Sequence, residues 1–249
     1  LDRQIAQATT LRERLALLEQ RLAEGGRPDT GDWLATLEQM STYGRYFSPE
    51  EIRALMANWK AVADQWPPLI AEVSERMARG VPADALELQP LAARWMTLMG
   101  QWMDGNYDLI ERWGEMYRSE PVARRDDGPS AALIGYIEEA IGLRMAALLR
   151  HLDAEDFARL GTPPDAAWRR LSGELEALQA RGAAPGDPAV QAIAREWAAL
   201  FDAFCDHDPG IAARLMQAMA TEPVLQAAAV TAPPVRELLL RAMATLRAA

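Results

Sequence analysis

Lysine is almost absent from this 249-residue chain: Lys60 is the only one, and the formal net charge is −10. Surfaces that grip nucleic acid displace counterions from phosphates with clustered Lys and Arg. Here the arginines are interleaved with glutamates, as in Arg12-Glu13-Arg14, so the chain is expected to make no direct nucleic-acid contact. Cysteine occurs once, at Cys205, which excludes an internal disulfide and fits a reducing compartment. The two histidines, His151 and His207, have no metal-binding spacing to a second ligand, so no metal is expected. Cys205, Asp206 and His207 are neighbours in sequence, but adjacent helical positions do not face one another, and Cys205 reads as a small buried hydrophobe. There is no glycine-rich phosphate loop and no nucleophile elbow. The expected catalytic and cofactor sets are therefore empty, and the chain reads as a non-enzyme. No apolar run is long enough to span a membrane, and Leu1-Asp2-Arg3 opens no signal peptide, so a cytoplasmic location is expected. The first residue is not methionine, which suggests a longer product.

Half of the residues are hydrophobic. Alanine, leucine, arginine and glutamate dominate, all good helix formers, while the β-branched residues that favour strands are sparse. The expectation is an all-α protein. Its first 26 residues read as one helix with Ile5 and Ala8, then Leu11, Leu15, Leu18 and Leu22, on a narrow apolar stripe. Such a stripe needs a partner: a second copy in a dimeric coiled coil, or the protein's own body. Gly25-Gly26-Arg27-Pro28 ends it. A short helical junction over 27–46 leads to Ser48-Pro49-Glu50-Glu51, a helix start with a capping serine, proline at N1 and a glutamate at N3.

The most informative feature is internal similarity at a shift of 102 residues. Trp66 to Gly80 matches Trp168 to Gly182, and Leu69/Leu171, Gln89/Gln191, Trp95/Trp197, Asp104/Asp206 and Arg112/Arg214 keep the register. Glu120-Pro121-Val122 matches Glu222-Pro223-Val224, and Ile137 and Ala140 match Leu239 and Ala242. Upstream the shift becomes 105, pairing Phe47 to Ile52 with Leu152 to Phe157. Two repeats are expected, over 47–151 and 152–249. Each should hold a short capped opening helix, one ending at Gly80 or Gly182, one carrying Trp95 or Trp197, one ending before Pro121 or Pro223, and a closing helix.

Aromatic and methionine side chains crowd two helices of the first repeat. Trp95, Met99 and Trp102 recur at helical spacing, and Tyr107, Ile110 and Tyr117 form a second stripe. Flat rings with polar tips and adaptable thioethers suit a pocket for a polyaromatic molecule, though the same pattern also builds a tryptophan-rich core. The candidate ligand contacts are Trp95, Trp102, Tyr107 and Tyr117, with Asn106 as hydrogen-bonding partner and Trp66, Met99, Ile110, Trp197 and Phe201 as apolar walls.

Arg94-Trp95, Asp104-Gly105-Asn106-Tyr107, Gly114-Glu115-Met116-Tyr117 and Gly128-Pro129-Ser130-Ala131-Ala132-Leu133 resemble the TipAS antibiotic-recognition domain of MerR-type transcription regulators. The leading helix resembles the dimerisation helix of such a regulator, and the tandem arrangement is similar to albicidin-resistance proteins. The resemblance implies globin-like modules and capture of a large aromatic, albicidin-like antibiotic. It also implies a homodimer through residues 1–26, with DNA contact left to a winged-helix domain absent from this chain. Thiopeptide-binding members capture their ligand through a loop cysteine; the matching positions here are Gly105 and His207, so reversible binding is expected. A stand-alone drug-sequestering resistance protein and a helical protein-interaction scaffold are the competing expectations.

Overall fold

The computed structural model describes residues 40–123 and 128–248; the coiled coil expected over 1–26 and the junction as far as residue 39 lie outside them. Every regular element among the described residues is helical, so the protein is all-α. In chain order, after a helical stretch over 40–46, the first helices are α1 (Pro49–Val62), α2 (Trp66–Ala78), α3 (Gln89–Trp102), α4 (Tyr107–Ser119) and α5 (Ala131–Leu149). Then follow α6 (Ala154–Arg159), α7 (Asp165–Ala180), α8 (Pro188–Phe204), α9 (Pro209–Thr221), α10 (Pro223–Ala227) and α11 (Pro233–Ala248). Contacts divide the chain into two compact units. One holds the chain up to Ala63 with Asn106–Ala131, the other Asp64–Gly105 with Ala132–Ala249, so residues 47–151 contribute to both.

In the first unit, α1 starts as its sequence dictates. Ser48 Oγ accepts from Glu51 N at 3.2 Å while Glu51 Oε2 accepts from Ser48 N at 2.7 Å, satisfying two helix-end donors reciprocally. Arg112 of α4 then ties the two helices together. Its guanidinium donates to Tyr46 O at 2.6 Å and to Glu51 Oε1 at 2.6 Å, and lies 5.4 Å from the Phe47 ring centroid. Trp113, the next residue, packs its ring against Tyr43 and Phe47, with centroids 5.6 and 5.8 Å away.

In the second unit, α7, α8 and α11 enclose a core of Leu171, Leu175, Val190, Ile193, Ala194, Val235, Leu238, Leu239 and Ala242. Leu152, Cys205, Ile211 and Leu215 form a further cluster, with Leu148, Phe157, Phe201 and Phe204 partly buried around it. Two buried glutamines start α3 and α8 in the same way. Gln89 Nε2 donates to Ala140 O at 3.2 Å, and Gln191 Nε2 donates to Ala242 O at 3.1 Å. The helix stops also pair at a shift of 102: Gly80 and Gly182 have φ of 73° and 76°, which only glycine adopts without strain.

Two details depart from the expected helix pattern. The opening helices are unequal, with 14 residues in α1 and 6 in α6. Pro163 and Pro164 follow α6 closely and remove the amide donors a longer helix would need, whereas α1 meets no proline until Pro67. Pro121 and Pro223 do end the preceding helices, at Ser119 and Thr221, but each also begins a new one: the 3-10 turn Pro121–Ala123 and helix α10. Proline is preorganised for the first turn of a helix and has no amide to leave unsatisfied there.

Candidate ligand site

Two of the candidate ligand contacts, Trp95 and Trp102, meet one candidate wall, Trp66, in the second unit. Trp66, at the start of α2, sets its ring edge-on to Trp95 of α3, with centroids 4.9 Å apart and planes at 79°, and lies 6.4 Å from Trp102. The three indoles are 5%, 6% and 9% exposed, so they stack on one another and act as core in this state. Met99, between Trp95 and Trp102 on α3, is half-buried. The adaptable thioether thus reaches solvent where the indoles do not.

In the first unit, Asn106 uses its side chain to cap α4, its Oδ1 accepting from Leu109 N at 3.2 Å. Tyr117 is buried and its phenol donates to Pro129 O at 2.9 Å, so its polar tip is committed to the backbone. Ile110 is half-buried. Tyr107 differs in burial: it is 49% exposed at the first turn of α4.

The later candidates also lie in the second unit. Trp197 is half-buried and stacks on Trp168, with centroids 6.0 Å apart and planes at 22°. Phe204 meets the Trp168 ring edge-on at 5.6 Å. Phe201 is half-buried beside Cys205 and Ile211. Trp168 and Phe204 belong with the candidates although aromatic spacing on one helix did not select them. The signal was there in the repeat, since Trp168 is the counterpart of Trp66.

The charged groups nearby are paired. Arg214 Nε donates to Asp156 Oδ2 at 2.9 Å, and Arg150 Nε to Glu222 Oε1 at 3.0 Å, where His151 Nε2 also lies at 3.0 Å. Arg150, His151, Asp156 and Arg214 line an open depression of about 390 Å³ at the joint of α5 and α6, together with Leu149, Leu152 and Asp153. Arg150 and His151 hold the Glu222 carboxyl down at about 2. In the first unit the same arrangement recurs: Arg45 lies 2.9 Å from Glu120, and the Tyr46 hydroxyl donates to it at 3.3 Å. Arg112, and then the Ser48 amide, hold Glu51 down at about 2.

Cys205 is fully buried, and burial, with Asp202 and Asp208 nearby, pushes its thiol up to about 11. The nucleophilic thiolate is thereby suppressed. The loop positions matching the capture cysteine, Gly105 and His207, both adopt left-handed backbone, with φ of 70° and 55°. Among the described residues no group of His, Cys, Asp and Glu could hold a metal ion, and no helix is long and apolar enough to cross a membrane.

Residues 35–143 match the family model of the TipAS antibiotic-recognition domain. The indole triad, Tyr107 and the Arg112 anchor all fall within that stretch. The first half of the chain is therefore similar to a domain that recognises antibiotics. No curated protein matches the chain significantly.

Proposed function

We propose that this chain binds a large aromatic, albicidin-like antibiotic reversibly, as the effector-binding part of a MerR-type regulator. In this reading two globin-like modules follow a coiled-coil dimerisation helix over residues 1–26, the protein is cytoplasmic, and DNA contact belongs to a separate winged-helix domain. The observation that carries it is the TipAS match over residues 35–143, which contains the Trp66, Trp95 and Trp102 cluster, half-buried Met99 and Ile110, and the exposed Tyr107 ring. The low thiolate character of Cys205 and the absence of cysteine at positions 105 and 207 support non-covalent capture.

Ligand binding biases a regulator only through unequal affinity for two states. Reorientation of Tyr107, Met99 or the indole triad around a guest would supply that difference. Titration of albicidin, a thiopeptide and smaller aromatic antibiotics, followed by tryptophan fluorescence and intact mass, tests the binding. Saturable quenching without an adduct is expected; no response to any member of the panel would sink the reading and favour an interaction scaffold. Expression of the chain by itself separates regulation from sequestration: drug protection of cells without any DNA-binding domain would favour sequestration.

A further inference from the structure

Helix α5 carries an outward face that its counterpart in the second repeat does not have. Gly135, Gly142 and Ala146 are exposed on it, and a Cβ added at either glycine would meet nothing. Leu143 and Leu149 are 37% and 50% exposed along the same stripe. The matching stripe on α11, at the shift of 102, is polar. Gly135 and Glu139 are matched by Glu237 and Arg241, set against each other at 3.9 Å. Leu143 is matched by Thr245, whose hydroxyl donates to Arg241 O. A helix closing this kind of module therefore has no need of an outward leucine there.

Two charges bracket the apolar part of the face: Glu139 and, just past the last turn, Arg150. They lie eleven residues apart, three turns or about 16 Å, and so share one side of the helix. Glu139 is exposed and has no ion pair or hydrogen bond among the described residues. Arg150 gives Nε and Nη2 to Glu222, stays 57% exposed, and keeps Nη1 for a further acceptor. Arg159 and Arg170 each answer two carboxylates in this protein, so a second acid on one guanidinium has precedent.

Opposite charges at the two ends of an uncharged stripe are self-complementary under a twofold axis. A second copy laid antiparallel sets each Glu139 against the other's Arg150. The axis falls midway, level with residues 144 and 145, so Leu143 of each copy meets Ala146 of the other. Leu149 of each reaches the bare backbone beside Gly142 of the other. We infer that this face of α5 docks a second copy of the chain, as an antiparallel helix pair closed by two Glu139–Arg150 ion pairs. The contact is separate from the coiled coil expected over residues 1–26 and independent of the antibiotic-binding reading.

Sedimentation of the full chain over a range of concentrations tests it. One helix pair is at the small end of specific interfaces, so an association step with a midpoint on the order of 10–100 µM is expected. Glu139→Arg alters an exposed, unpaired residue and should weaken that step about tenfold, and Leu143→Glu should abolish it. Thr245→Glu, at the matching place on α11, should leave it unchanged. Association through residues 1–26 is a step that all three variants leave in place. A mixture gives the sharpest reading. Glu139→Arg and Arg150→Glu each oppose like charges in their own pairs, whereas one copy of each restores both ion pairs. The mixture should associate at least about tenfold more tightly than either variant alone. Arg150→Glu also gives up Glu222, so circular dichroism checks its fold, and Glu139→Arg with Leu143→Glu decide the matter if that fold is lost. No such step in the native chain, a step that neither Glu139→Arg nor Leu143→Glu weakens, equal weakening by Thr245→Glu, or a folded mixture no tighter than its components would each overturn the assignment.

Discussion

The two halves of the chain use the same bonds in the same places but finish their aromatic clusters differently. Gln89 and Gln191 hold the same helix carbonyl, Arg112 and Arg214 clamp the N3 acid of an opening helix, and Glu120 and Glu222 collect the two residues that close the segment before it. Their rings diverge. Trp66, Trp95 and Trp102 are buried edge to edge, whereas Trp168, Trp197 and Phe204 are half-buried. The same framework of polar bonds thus carries two differently buried aromatic clusters.

The deepest shared positions give the largest expected effects. Leu69→Ala and Leu171→Ala, both fully buried, should each cost about 2–5 kcal/mol in urea denaturation. A loss below about 1 kcal/mol at one of them would show that half to be loosely packed. The clamp arginines come next. Arg112→Ala removes bonds to Tyr46 O and Glu51 as well as contact with Phe47, and should cost about 2–3 kcal/mol. Arg214→Ala loses Asp156 from a more solvent-exposed position and should cost clearly less. Equal losses would mean that the extra contacts of the first clamp contribute nothing.

Gln191 bonds both Pro185 O and Ala242 O, while Gln89 bonds Ala140 O and leaves its own oxygen unpaired. Gln191→Leu should therefore cost more than Gln89→Leu, by about 1 kcal/mol. Acid should weaken the Arg112–Glu51 clamp and the pairing of Glu222 with Arg150 and His151 alike. Glu51 and Glu222 have carboxyls lowered to about 2, so their contribution is present above the ordinary value near 4.5 and fades as pH falls toward 2. Glu51→Gln and Glu222→Gln should each flatten the stability profile within that window, and an unchanged slope would rule out the pairing as its cause. Smallest is the loop exchange. Gly105→Ala should destabilise by about 1 kcal/mol, because a Cβ disfavours its left-handed backbone. His207→Gly should gain less than that, since it also loses the bond to Asp202.

Much of the fold was readable because its signals are local. Ser48 through Glu51 announces a helix start, Gly80 and Gly182 announce stops, and apolar spacing marks the core faces of α7, α8 and α11. The clamp of Arg112 on Glu51 has no such signal, since partners 61 residues apart leave no periodicity. It could only have come from the repeat, which matched both members to Arg214 and Asp156. The aromatic richness of the site was legible, but helical spacing tells which residues share a face and not what covers that face. Trp66, Trp95 and Trp102 turned out to cover one another, and Tyr117 to donate to the backbone, while Tyr107 is about half exposed.

Cys205 has as its counterpart Met103, also buried, so the chain carries a reactive handle in one half and an inert thioether in the other. A maleimide can reach that sulfur only when α8 and α9 part, which makes its labelling rate a clock for opening of the second half alone. Run with and without an aromatic antibiotic, that clock would test whether the cluster around Cys205 tightens.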